Sequence, residues 1–278
     1  MTARTLTFLA ALAAAAAAIF FSLNSSSEDI EKARLSLTGS STIAPLALEI
    51  AKRYEAQNEG LRIDVETGGS SRGMADARRG LADIGMVSRR LKAEESDLTA
   101  HLLARDGVGI IVHSSNPIEA ITGAEVTSIY KRETRNWQAL GGPDADIILV
   151  HKAEGRSTLE VFLDHFKLDN PSITPDVIVG DNEQGIKTVA ANPAGIGYVS
   201  IGTAEVAIEN GAAIKLIKLD GIEASTATVA DGSFPMAREL NLVTYGEIPE
   251  NAASFIAFAQ SADVNDLIKG QSFVPPRR

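Results

Sequence analysis

From residue 34 onward, short β-branched runs alternate with stretches in which apolar residues return every three or four positions. The short runs predict strands at 35–37, 61–65, 84–87, 108–112, 147–150, 177–179, 196–199, 214–219 and 240–244. Ile43, Leu46, Ala47, Ile50, Ala51 and Tyr54 fall on one face of a helix, and Leu159, Phe162, Leu163 and Phe166 on one face of another. A last helix, around 251–258, is apolar on one side. Alternating β and α elements predict an α/β fold with largely parallel sheets. No repeat of fixed period and no long linker interrupts the pattern, so two units would have to share short crossovers.

Before residue 34 the pattern is different. Arg4 precedes 14 uninterrupted apolar residues, 8–21, followed by Ser22, Asn24, Ser25, Ser26 and Ser27. This predicts a secretory signal peptide over 1–27 and a periplasmic location. Counting from 6 to 23, with Thr7 and Ser22 tolerated, gives 18 residues, the length of an uncleaved inner-membrane anchor, so both forms stay open.

Composition narrows the function classes. With 45% hydrophobic and 22% charged residues the chain is globular. The absence of cysteine excludes disulfides, thiol nucleophiles, Cys-bearing zinc sites and a lipobox-type anchor. Lys+Arg 26 against Asp+Glu 36 gives −10, which argues against a nucleic-acid partner. His101, His113, His151 and His165 are scattered singly, so no metal and no cofactor is expected.

Four places share one grammar, a strand, a small polar loop and a helix start: Thr38-Gly-Ser-Ser-Thr, Thr67-Gly-Gly-Ser-Ser, His151-Lys-Ala-Glu-Gly-Arg-Ser-Thr and Gly180-Asp-Asn-Glu-Gln-Gly. The first amides of a helix lack intrahelical acceptors, and its dipole is positive there, so such ends favour anions. Glycine lets backbone approach a ligand, and Ser and Thr add hydroxyl donors. Each loop alone is equally well read as a helix cap or a turn. Arg72, Arg89 and Arg156 each adjoin a serine in these regions, whereas Arg78, Arg79, Arg90 and Lys92 read as solvated surface. A competing motif, Gly69-Ser-Ser-Arg-Gly, matches G-x-S-x-G with Ser71 as a hydrolase nucleophile, but no histidine lies in a matching loop. The run from Gly180 to Thr188 is one residue off a phosphate-binding P-loop, with Lys187 misplaced.

As an ordered set, several motifs resemble the phosphate-binding periplasmic proteins of ABC importers. They are Thr38-Gly-Ser-Ser-Thr-Ile-Ala-Pro-Leu, Gly68-Gly-Ser-Ser-Arg-Gly-Met, Ala82-Asp-Ile-Gly-Met-Val-Ser-Arg-Arg, Glu154-Gly-Arg-Ser-Thr, Gly195-Ile-Gly-Tyr-Val-Ser and Phe234-Pro-Met-Ala-Arg. The resemblance implies a two-lobed type II periplasmic-binding fold with a hinge of two crossover strands. Lobe 1 would comprise 34–115 and 231–278, lobe 2 would comprise 116–230, and the crossovers would lie near 108–113 and 240–244. It also implies a non-enzymatic receptor that captures inorganic phosphate and delivers it to an importer permease. The implied phosphate-binding residues are Ser40, Ser41, Thr42, Ser70, Ser71, Ser88, Arg89, Arg156, Ser157 and Thr158.

Two departures bear on specificity. Many family members carry Ser-Asp where this chain has Ser88-Arg89, and that Asp accepts the proton of hydrogen phosphate. Without it, sulfate, molybdate or tungstate remain alternative ligands, with Asp76 and Glu154 as substitute acceptors. Arg156 replaces a small residue, and either clamps the anion or fills part of the cleft.

Overall fold

The computed structural model describes residues 33–277. The expected signal segment lies outside the described residues. Among those described, no helix is long and apolar enough to cross a membrane.

The chain opens as β1 (Ala33–Gly39), α1 (Ala44–Glu55), β2 (Leu61–Thr67), α2 (Ser70–Arg78), β3 (Ile84–Val87) and β4 (Leu98–His113). It continues through β5 (Ala120–Ile121), α3 (Gly123–Tyr130), β6 (Ile148–Lys152), α4 (Ser157–Phe166), β7 (Val177–Val179), α5 (Asn182–Ala190), β8 (Gly195–Ser200) and α6 (Ile201–Glu209). It closes with β9 (Ile214–Leu216), β10 (Lys218–Leu219), α7 (Thr226–Asp231), β11 (Ala237–Tyr245), α8 (Glu250–Ala259) and α9 (Asn265–Gly270).

One long strand organises the molecule. β4 pairs with β11 along Leu98–Gly107 and with β8 along Val108–Val112. Its first half thus joins the order β2-β1-β3-β11-β4, and its second half joins β4-β8-β6-β7, with β9 on its other edge. Each half makes the sheet of one lobe. The first lobe's core is built on Leu35, Leu37, Leu46, Ile50, Met86 and Phe255. The second lobe buries Tyr130, Trp137, Phe162 and Tyr198 on one sheet face and Val150, Ile186 and Val199 on the other. The predicted α1 stripe is buried throughout, including Ile43 just before the helix, and so removes its apolar face from water as the period required.

Three expectations shift. The strand predicted at 108–112 is only the second half of β4, because His101, Arg105 and Asp106 break the apolar run upstream. The single strand predicted at 214–219 divides into β9 and β10 at Ile217. Residues 108–113 pair inside the second sheet, and 240–244 inside the first, so β4 changes lobes at Gly107 instead. We propose lobe limits at Gly107 and near Phe234, in place of 115 and 231.

Candidate functional site

The loops that start helices meet between the lobes. In the first loop, Gly39 has φ +131°, and a Cβ there would lie 2.4 Å from the Met86 carbonyl, so only glycine lets the chain turn against β3. Ser40 is buried, and its Oγ accepts the Thr42 amide at 3.2 Å. Ser41 is half-buried and faces a cleft of about 880 Å³ that Thr42, Thr67, Asp181 and Asn182 also line. In the second loop, Gly69 caps α2 with φ +98°, and a Cβ there would lie 2.6 Å from the Gly155 carbonyl of the other lobe. The lobes approach that closely because glycine is there. Beside it, the Ser71 amide donates to Gly155 O at 3.3 Å. Buried Ser70 and Ser88 are joined, with the Ser88 amide donating to Ser70 Oγ at 3.2 Å.

The second lobe supplies α4 and α5. Arg156 is the N-cap of α4, so Ser157 and Thr158 occupy its first turn, where amides lack intrahelical acceptors. Both are buried. The Ser157 hydroxyl has no hydrogen-bond partner although the residue is 2% exposed. An unpartnered buried hydroxyl is costly unless something absent from the protein itself satisfies it. At the start of α5, Asn182 reaches across the gap, its Nδ2 donating to Thr42 Oγ1 at 3.1 Å.

The central cation is Arg238, at the start of β11 and 5% exposed. Its Nη1 donates to Thr158 Oγ1 at 2.9 Å and its Nη2 to Thr42 Oγ1 at 3.3 Å, one hydroxyl from each lobe. Asp106 on β4 holds it, accepting from Nε at 3.0 Å and Nη2 at 2.8 Å. The other Asp106 oxygen accepts the Gly202 amide at 3.2 Å. Arg238 and Asp106 flank the two strands where the chain passes between lobes, so this pair ties the hinge to the site.

Lys152, at the end of β6, is the second cation that sequence reasoning passed over. It is 3% exposed, and its Nζ donates to the Asp181 carbonyl. Burial lowers its pKa from 10.5 to about 7; Asp181 works against this shift, and Arg238 and Arg156 add to it. Its backbone is fixed by a relay. Asn170 Oδ1 lies 2.9 Å from His151 Nε2, and Tyr198 Oη lies 3.0 Å from His151 Nδ1 while accepting the Lys152 amide at 3.2 Å. With a carbonyl oxygen at Nε2, that nitrogen carries the proton, so Tyr198 donates to Nδ1.

Arg89 sits elsewhere in the charge balance. Its guanidinium donates to both Glu95 oxygens at 2.7 Å, and its Nε lies 3.0 Å from Glu160 on α4. Lys92 Nζ shares Glu160 at 2.6 Å. Burial lowers the Arg89 pKa, but the two carboxylates outweigh it and hold the group above its ordinary value. Arg238 thus links Thr42 with Thr158, Ser70 and Ser88 form a second pair, and Arg89 bridges the lobes at Glu160. Among the substitute acceptors, Asp76 takes Arg72 Nε at 3.0 Å and Glu154 takes Asn170 Nδ2 at 3.2 Å. Arg238, Lys152, Asn182 and Asp106 were not among the residues expected at the site; only Lys152, a charged residue ending a mostly apolar strand, carried a local signal, while Arg238 and Asn182 stood within motifs whose other residues drew the assignment.

Chemically, the seam offers hydroxyls, helix-start amides and buried cations with Asp106 as the carboxylate bonded to Arg238, an arrangement that suits a small oxyanion. Residues 24–263 match the model of the PBP superfamily domain. The chain is similar to phosphate-binding protein PstS of Bacillus subtilis, at 26% identity over 89% of this chain and 82% of that one. It is similar at 26% to PstS of Borreliella burgdorferi, over 90% and 92%. A phosphate ABC transporter substrate-binding protein with bound phosphate from Clostridium perfringens superposes with TM-score 0.82 at 28% identity, covering 88% of this chain and all of that one. With a domain match over most of its length and two lobes sharing one long strand, the chain belongs to the PBP superfamily.

Proposed function

We propose that this protein is an exported receptor that closes its two lobes on inorganic phosphate and delivers it to an ABC-type importer, without catalysing a reaction. The single observation that carries the reading is the buried, unpartnered Ser157 hydroxyl beside the Arg238–Thr158 bond. The likeness to receptors named for phosphate supports the choice of ligand. Ser70, Ser88, Ser157 and Thr158 donate to phosphate oxygens, with Arg238 as the neutralising cation. Thr42 closes the seam through Asn182, and Ser40, Ser41 and Ser71 shape the loops. A handful of charge-assisted hydrogen bonds, after ordering costs, gives about −8 kcal/mol, or micromolar binding.

A second reading, another oxyanion such as sulfate or molybdate, is favoured by the donor-rich chemistry of the seam, since Asp106 is already engaged by Arg238 and Gly202. The Ser71 hydrolase finds no support in the recorded histidine contacts: His101 bonds Thr244, His113 bonds Ser115, His151 bonds Asn170 and Tyr198, and His165 packs edge-on against Phe166. Calorimetry with phosphate, sulfate and molybdate tests the proposal. It expects saturable, one-to-one phosphate binding, and sulfate or molybdate binding in its place would transfer the site to that anion.

A further inference from the structure

Three basic side chains lie together at the seam, Arg238 from the first lobe and Arg156 and Lys152 from the second. Arg238 is matched by Asp106, and Arg156 caps α4 half-buried. Lys152 is packed against α5, where a Cβ added at Gly185 would lie 3.4 Å from its Nζ. The amine donates to a neutral carbonyl, that of Asp181, whose side chain is spent capping α5 on the Gln184 amide at 2.8 Å. The groups around Lys152 are therefore Asp181 from α5, Arg156 from α4, Arg238 from β11, and Tyr198 from β8 with His151 beside it on β6. Tyr198 is held well above its ordinary value by burial, and burial lowers His151, so both stay neutral near pH 7. Two arginines repel an ammonium there, and in the empty receptor Asp181 is the carboxylate whose charge favours it.

An anion reverses that balance. A dianion held by Arg238 and the α4 amides supplies the negative charge that a buried ammonium lacks. We propose that anion capture takes up a proton on Lys152 Nζ, so that the amine is neutral in the empty receptor and becomes the ammonium when the dianion is enclosed. The proton comes from the buffer, no bond of the ligand breaks, and the site gains its third cation only when occupied. This inference rests on the phosphate reading above and adds that binding and protonation are linked. The arginines carry fixed charge at any working pH, so Lys152 is where the linkage resides.

The test is calorimetry of the full chain with inorganic phosphate at about pH 8, in phosphate-free buffers of contrasting ionisation enthalpy. Phosphate is already mostly the dianion there, so its own titration contributes little. The expected result is uptake of close to one proton per phosphate, with affinity falling up to about tenfold per pH unit above neutrality. Lys152→Arg should bind with no uptake. The ¹³Cε resonance of Lys152, followed against pH with and without saturating phosphate, assigns the proton without a variant; its midpoint should lie near neutrality in the free protein and move upward when phosphate binds. Phosphate binding with no buffer dependence, or a Lys152 midpoint that phosphate leaves in place, overturns the linkage alone. Failure of the wild type to bind phosphate overturns the function and the linkage with it.

Discussion

Arg89 and Arg238 are both buried, both bonded to carboxylates, and both reach across the gap between lobes, yet they do different work. Arg89 is saturated by Glu95 and Glu160, and with Lys92 the cluster sums to zero. Arg238 has one carboxylate, Asp106, and its other recorded bonds go to the neutral hydroxyls of Thr42 and Thr158. A cation is available to an anion when its own protein leaves it short of negative charge, whatever residue precedes it in sequence. Ser88-Arg89 looks like a site pair and forms a latch at the rim; Arg238 follows an alanine and lies at the centre.

The largest expected effect comes from removing the available cation. Arg238→Met should weaken phosphate binding by more than ~100-fold by calorimetry and cost about 3–5 kcal/mol in urea unfolding, because Asp106 is left buried and unpaired. Ser157→Ala separates binding from stability. Its hydroxyl has no partner within the protein, so the variant should unfold at an unchanged or slightly higher urea concentration yet bind phosphate about tenfold more weakly.

Lys152→Met tests the second cation through pH. Because the folded pKa is lowered from 10.5 to about 7, the unfolded chain holds more protons between those values. Stability of the anion-free wild type should therefore rise with pH across that window. The variant should be more stable than wild type below about pH 7, with the advantage fading as pH climbs towards 10.5, measured by thermal unfolding in phosphate-free buffer. The smallest effect belongs to the rim. Glu160→Gln leaves Arg89 paired with Glu95, so phosphate affinity should change less than about threefold, and salt should erase the difference.

Local chemistry made much of this legible in the sequence. The Ile43-to-Tyr54 stripe reports its own burial, and Ser157 and Thr158 follow a loop that must start a helix. The first half of β4 escaped because Asp106 and Arg105 look like surface charges until Arg238 is known to stand opposite. That pairing spans 132 residues, and nothing local encodes it. The partners of Arg89 are equally out of local reach, since Glu160 belongs to the other lobe. Lys152 lay in view within the third loop, but its burial is a property of α5 packing over it.

A crystal structure of the protein grown with millimolar phosphate tests the central claim most directly. The account predicts tetrahedral density between the lobes within hydrogen-bond distance of Ser157 Oγ and the Arg238 guanidinium, with Arg89 still on Glu95 and Glu160. A seam that stays empty, or density seated on Arg89 instead, would contradict it.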